Sequence, residues 1–195
     1  MPLGANKAAI MGVAGVSTGD VVLLSSQTIS ADTTIDFTSG IDSTYGEYIF
    51  GFYAIHAATD ATIFQFNMST DGGSNYNVTK TSSAFRTSHS EADATVFTYD
   101  ATLDLAQGTG FQGLAGDQGN ANEEICAGVL HIFNPASTTY VKHFYSRVQQ
   151  RHPTAYSEEF YVAGYGNTTS AVDAIQFKMA SGNMDAGTIK MWGVK

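Results

Sequence analysis

From Val21 onward the chain alternates apolar and polar residues with a period of two. No window of about eleven residues sustains an apolar i, i+3, i+4, i+7 stripe between helix caps. That pattern leaves strands as the building material. Thr62-Ile63-Phe64-Gln65-Phe66-Asn67-Met68 sets Phe64, Phe66 and Met68 on one face and Gln65 and Asn67 on the other, because successive strand side chains point to opposite faces. In Tyr48-Ile49-Phe50-Gly51-Phe52-Tyr53-Ala54-Ile55 both parities are apolar, which predicts a strand covered on both sides. Further strands are expected over residues 94–99, 128–133, 139–148, 159–165, 172–179 and 188–194. Gly and Asn clusters separate them, with Asp71-Gly72-Gly73 and Ser181-Gly182-Asn183 the clearest turns. Residues 107–122 hold five glycines and read as a long loop, a length that usually serves a purpose. About nine strands without helices predict an all-β fold, an antiparallel β-sandwich of the jelly-roll kind.

The 195 residues suit a single sandwich domain over residues 21–195. Residues 1–20 differ from it. They carry Gly4, Gly12, Gly15 and Gly19, and their apolar side chains lack the bulk for a core of their own. An extended N-terminal arm that becomes ordered against another subunit is the expectation. Residues 8–16 are apolar and follow Lys7, but Gly12 and Gly15 interrupt them and no small-x-small cleavage signal follows. They are expected to remain in the mature chain. No apolar run approaches the roughly 18 residues that a membrane helix needs.

Nine Lys and Arg face eighteen Asp and Glu, a net charge of -9. Binding to DNA, RNA or anionic membrane rests on excess cationic charge, so no nucleic-acid partner is expected. Only 14% of residues are charged, against about 25% in an average soluble domain. Thr, Ser, Asn and Gly must therefore supply a neutral polar surface.

Ser69-Thr70-Asp71-Gly72-Gly73-Ser74-Asn75-Tyr76 resembles the Asp-box of sialidases and other β-proteins. The Asp side chain caps backbone N–H groups, glycines take positive φ and the aromatic folds over the turn. It predicts a hairpin and no catalysis. Gly108-Thr109-Gly110-Phe111-Gln112-Gly113 spells a dinucleotide-binding motif but lacks the strand-to-helix context that gives it meaning. No G-x-S-x-G occurs.

Cys126 is the only cysteine and lies in an apolar run, which makes it a small core residue. His56, His89, His131, His143 and His152 show no HxH or HExxH spacing and read as strand histidines, not metal ligands. Glu123-Glu124 and Glu158-Glu159 could suggest glycosidase carboxylates, but neighbours on a strand face opposite ways. Solvated rim charges are the expectation. Asn67, Asn77 and Asn167 stand in glycosylation sequons. Residues 141–152 form the one basic, aromatic stretch. On a strand Lys142, Phe144, Ser146 and Val148 share one face, with His143, Tyr145 and Arg147 opposite. Such a face could bind an acidic sugar or a partner's carboxylates, though its cations are expected to balance neighbouring acids. No catalytic, cofactor-binding or metal residues are therefore assigned, and no cofactor is expected.

Three segments together carry a family resemblance: Asp36-Phe37-Thr38-Ser39-Gly40-Ile41-Asp42-Ser43-Thr44-Tyr45, Ser69 to Tyr76, and Ser181-Gly182-Asn183-Met184-Asp185-Ala186-Gly187-Thr188-Ile189-Lys190-Met191-Trp192-Gly193-Val194. After the first come Tyr48, Phe50, Phe52, Ile55, His56, Ala58, Thr59 and Asp60, with Ala57 where the family pattern has Pro. Met184 and Met191-Trp192 stand where it has Ile and Leu-Tyr. The chain resembles the small β-rich structural proteins of tailed phages of marine and freshwater bacteria, over most of residues 21–195. The resemblance implies a non-enzymatic virion component, such as a tail fibre, tail-tip or baseplate protein or a capsid decoration. Its partners would be other virion proteins and copies of itself, a trimer being favoured, and it would reside in the virion after synthesis in the host cytoplasm. It implies a closing hairpin over residues 181–194 and transfers no site residues. The alternative, drawn from an aromatic content of 12% with ten tyrosines, is a carbohydrate-binding module for host-surface glycans.

Deleting residues 1–20 is expected to leave a folded, soluble β-domain that no longer joins its oligomer or particle. The truncation removes Ile10, Met11, Val13 and Val16, whose burial on a partner would contribute about 25 cal/mol per Å2. Circular dichroism and sedimentation check this; normal assembly of the truncated chain, or its unfolding, refutes it.

Overall fold

The computed structural model describes residues 20–195. The first six strands are β1 (Val21–Asp32), β2 (Ile35–Phe37), β3 (Glu47–Ala57), β4 (Thr62–Ser69), β5 (Lys80–Ser90) and β6 (Thr95–Tyr99). Then follow β7 (Gln112–Gln118), β8 (Ile125–Phe133), β9 (Lys142–His152), β10 (Tyr156–Gly166), β11 (Ala174–Met179) and β12 (Met184–Val194). Among the described residues there is no helix, hence none able to cross a membrane. Residues 1–19, and with them nearly all of the expected arm, lie outside the described residues.

The strands form two antiparallel sheets packed as a sandwich. One holds eight strands in the order β1-β12-β3-β8-β9-β10-β5-β6, the other four in the order β2-β11-β4-β7. Setting aside the hairpins β5–β6 and β9–β10 leaves β1-β12-β3-β8 over β2-β11-β4-β7. The chain alternates between those sheets in a manner compatible with a jelly roll. Both hairpins extend the same sheet, one beyond the other.

Alternation on β4 buries Phe64, Phe66 and Met68 completely. They meet Phe177 of β11, which is the centre of the core. Its ring lies 5.3 Å from Phe50 and Phe52, 6.0 Å from Phe64, 6.1 Å from Phe37 and 6.3 Å from Phe66. These separations are those of favourable aromatic pairs. Rings from β2, β3 and β4 thus converge on one side chain and tie the two sheets together.

Four expectations need correction. β3 is not covered on both sides, because Tyr53 and Ala54 are exposed. Its two apolar parities arise from a bulge instead. The register with β8 shifts between Phe52 and Ile55, and Ala54 sits at φ 50°. Tyr48, Phe50 and Phe52 face the core before the bulge, and Ile55 and Ala57 after it. Residues 107–122 are not one loop, since β7 runs through them. A Cβ at Gly113 would stand 2.6 Å from Leu103 Cδ2, so this buried strand carries glycine where a neighbour packs against its backbone. The turn after β4 does not fold a hairpin: β4 pairs with β11 and β7, while β5 pairs with β10 and β6 in the other sheet. Likewise Ser181-Gly182-Asn183 leads from β11 to β12 across the sandwich, so the closing segment is a crossover.

Lys80 opens β5 fully buried, and its Nζ donates to Asn67 Oδ1 at 2.5 Å and to the Val78 carbonyl at 2.7 Å. Burial pushes this amine down to about 7 from its ordinary 10.5. Between those pH values the unfolded chain binds a proton that the folded chain has released, so stability rises with pH across that window. Unfolding in urea should show the parent gaining stability relative to Lys80→Met as pH goes from 7 to 10. A difference that stays constant with pH would refute this.

Candidate functional site

The outer face of the large sheet carries the densest array of exposed aromatic and hydrogen-bonding side chains. Cross-strand pairing sets them in rows. One row runs Leu23, Trp192, Ile49, His131, Tyr145, Ala163, Ser83 across seven strands. The next runs Gly51, Val129, Arg147, Tyr161, Phe85, Tyr99. A third places Gln149, Glu159, Thr87 and Phe97 side by side. The expected division of residues 141–152 is correct: Lys142, Phe144, Ser146 and Val148 are buried, and His143, Tyr145 and Arg147 are exposed.

Within the rows the rings stack sideways. Tyr145 lies 4.5 Å from His131 at 15°, and Phe85 lies 4.8 Å from Tyr161 at 11°. The Arg147 guanidinium stands 5.6 Å from the Tyr161 centroid, within cation–π reach. Arg147 Nε donates to Glu159 Oε1, and the Tyr161 hydroxyl donates to Glu159 Oε2 at 2.8 Å. The hydrogen bond from Arg147 holds the Glu159 carboxyl below its usual range. Between Tyr145 and the Phe85–Tyr161 pair, Ala163 and Ser83 contribute only small side chains. The resulting cleft has a volume of about 280 Å3.

The cations of this region do balance neighbouring acids. Arg147 engages Glu159, and Arg151 lies 3.2 Å from Glu124 and 3.9 Å from Glu123. The rim reading of the glutamates fails for two of the four. Glu158 is buried and accepts from Arg86 Nη1 at 2.6 Å and Gln150 Nε2 at 3.1 Å. Glu124 is buried and accepts from the Ala121 amide at 3.0 Å. Glu158 stands on the inner face of β10 beside its donors, and Glu124, in the turn before β8, is held by the Ala121 amide and Arg151.

The remaining candidates resolve locally. Cys126 is fully buried, which pushes its thiol up to about 12 and leaves it a core residue. His56 Nε2 lies 3.1 Å from the Ala121 carbonyl, His131 Nδ1 contacts Glu47, and His89 pairs with Asp93. Asn67 is buried and its Nδ2 donates to the carbonyls of Tyr76 and Thr109, so that sequon has no accessible acceptor. Gly108 N–H donates to the Lys80 carbonyl at 3.0 Å. In the Asp-box, Asp71 Oδ1 accepts from the Asn75 amide at 2.8 Å and from Ser69 Oγ at 2.7 Å. Hydrogen bonds led by that from the Asn75 side chain bring the Asp71 carboxyl down to about 2. Gly72 and Gly73 take φ of 68° and 86°.

Phe85 and the whole of β5 were missed in the sequence. Lys80-Thr81-Ser82-Ser83-Ala84-Phe85-Arg86 is too polar to show strand alternation. No match is found for this chain among protein-family models, curated proteins or solved structures.

Glu158→Ala would leave Arg86 and Gln150 facing an empty pocket. Because Arg86 is about a third exposed, the loss should fall below the range for a fully buried pair, at about 2–3 kcal/mol. Urea denaturation measures it. A change within about 0.5 kcal/mol, typical of surface positions, would return Glu158 to the rim.

Proposed function

We propose that the chain is a non-enzymatic structural component of a bacteriophage particle, built as a jelly roll and joined to its neighbours through residues 1–20 and the sandwich surface. It belongs to a fibre, tail tip, baseplate or capsid decoration, as one subunit of a trimer. The observation that carries the reading is where the three resembling segments meet. A Cβ at Gly73 would stand 2.9 Å from the Thr38 methyl and 2.8 Å from the Tyr76 hydroxyl. Gly40 lies against Met191, and a Cβ at Gly193 would stand 2.5 Å from the Tyr45 ring. The resemblance therefore follows one packed region of the sandwich and not three unrelated turns. A fold built of strands with no reducible cross-link suits a particle outside the cell.

A second reading has its own support in the exposed aromatic rows of the large sheet. There the domain would bind glycan as well as build the particle.

A mass-spectrometric census of purified particles of the encoding phage tests the first reading. The chain should be present at a fixed copy number divisible by three. Abundance in infected cells with absence from particles would overturn it.

A further inference from the structure

We propose that the cleft between Tyr145, Arg147, Tyr161 and Phe85 binds a neutral hexopyranose unit of a glycan, in a slot floored by Ala163 and Ser83. The inference rests on the glycan reading above and is independent of the particle reading.

Three features define the slot. Tyr145 packs one ring face on His131 at 4.5 Å, and its other face turns toward the cleft. On the far side Phe85 and Tyr161 stack on each other at 4.8 Å and present an edge. Between these walls the side chains shrink to Ala163 and Ser83, which lie in one cross-strand row with Tyr145. A flat object with an apolar face can enter and lie against the Tyr145 ring. The axial C–H groups of a pyranose form such a face, and its rim of hydroxyls needs planar donors and acceptors.

Arg147 and Tyr161 border the slot, and Glu159, in the next cross-strand row, holds both of them. Their mutual hydrogen bonds fix each group in place before a ligand arrives, which lowers the ordering cost of binding. The charge balance then selects the sugar. Arg147 is already neutralised by Glu159, so an anionic sugar would meet no unpaired cation at the slot. The chain as a whole carries -9, which opposes an anion further. A neutral sugar meets no such penalty. The volume of about 280 Å3 is close to the lower bound of about 300 Å3 for ligand pockets, which suits a single ring of a longer chain.

The test uses the full chain on an array of immobilised gluco-, galacto- and manno-oligosaccharides, with sialyllactose and oligogalacturonate as the acidic arm. Hits are followed by calorimetry. At least one neutral oligosaccharide should bind and the acidic probes should not. Tyr145→Ala should weaken binding about tenfold or more through loss of the stacking face. Ala163→Trp should abolish binding by filling the slot, with circular dichroism showing both variants folded. Tyr140→Ala, at an exposed tyrosine outside the cleft, should bind as the parent does. If no probe of either kind binds, the glycan reading falls and this inference with it. If only acidic probes bind, or a neutral hit survives Ala163→Trp, glycan binding stands and the neutral-sugar slot is wrong.

Discussion

Eight strands of one sheet face four of the other, and that mismatch in width governs the rest of the molecule. Where the sheets overlap, rings from β2, β3 and β4 close around Phe177 and the interior is apolar. Beyond the overlap, the inner faces of β9, β10 and β5 continue the same core through Phe144, Val148, Phe160, Val162 and Ala84, with polar side chains set among them. Several of the buried polar residues sit here: Lys142, Gln150 and Glu158 line the strands, and Gln112 and Gln118 lie on β7. Burying such groups is costly without partners; their nitrogens find them, while the Oε1 atoms of Gln112, Gln118 and Gln150 do not. Lys142 Nζ caps the carbonyls of Ser137 and Tyr140, Gln150 Nε2 donates to Gly116, and Gln118 Nε2 donates to Ile55. The extension is held by these hydrogen bonds together with its own apolar side chains, Phe144 meeting Phe66 at 5.3 Å.

Much of the fold was legible because burial and period agree on most strands. β4, β8, β9, β10, β11 and β12 each contain or overlap a stretch whose alternation marks it. The failures have particular causes. β2 has three residues, too few to show a period. β5 reads as polar because its inner face holds Lys80, Ser82 and Arg86 around the single apolar Ala84. β7 reads as loop because its glycines answer to Leu103, a contact fixed only in three dimensions. At β3 the composition was read correctly, but a bulge and a two-sided burial leave the same mark on a sequence.

The aromatic face was half legible. Tyr145 and Arg147 could be placed on one side of a strand, and the balancing of cations by acids was expected. Their company could not be. The cleft needs Phe85 and Ser83 from a strand that the pattern hid, paired through β10 with residues some sixty positions later in the chain. Strand order, not local pattern, assembles it. The two turns at Asp71 and Gly182 teach the same lesson. Their local geometry is as expected, with Gly72, Gly73 and Gly182 at positive φ, yet a turn does not reveal whether it returns to its own sheet or crosses to the other.

The pairing of β5 has a consequence for how the chain is made. On a ribosome β5 and β6 emerge early as a two-strand ribbon, marginal by itself in water. Among the described residues their only other strand neighbour is β10, and its first residue, Tyr156, comes long after Ser90. At about 5–20 residues per second the ribbon waits for several seconds with Val96, Phe97 and Tyr99 uncovered. Those side chains remain largely exposed even when folding is complete. Nascent chains on one message would meet at this segment first.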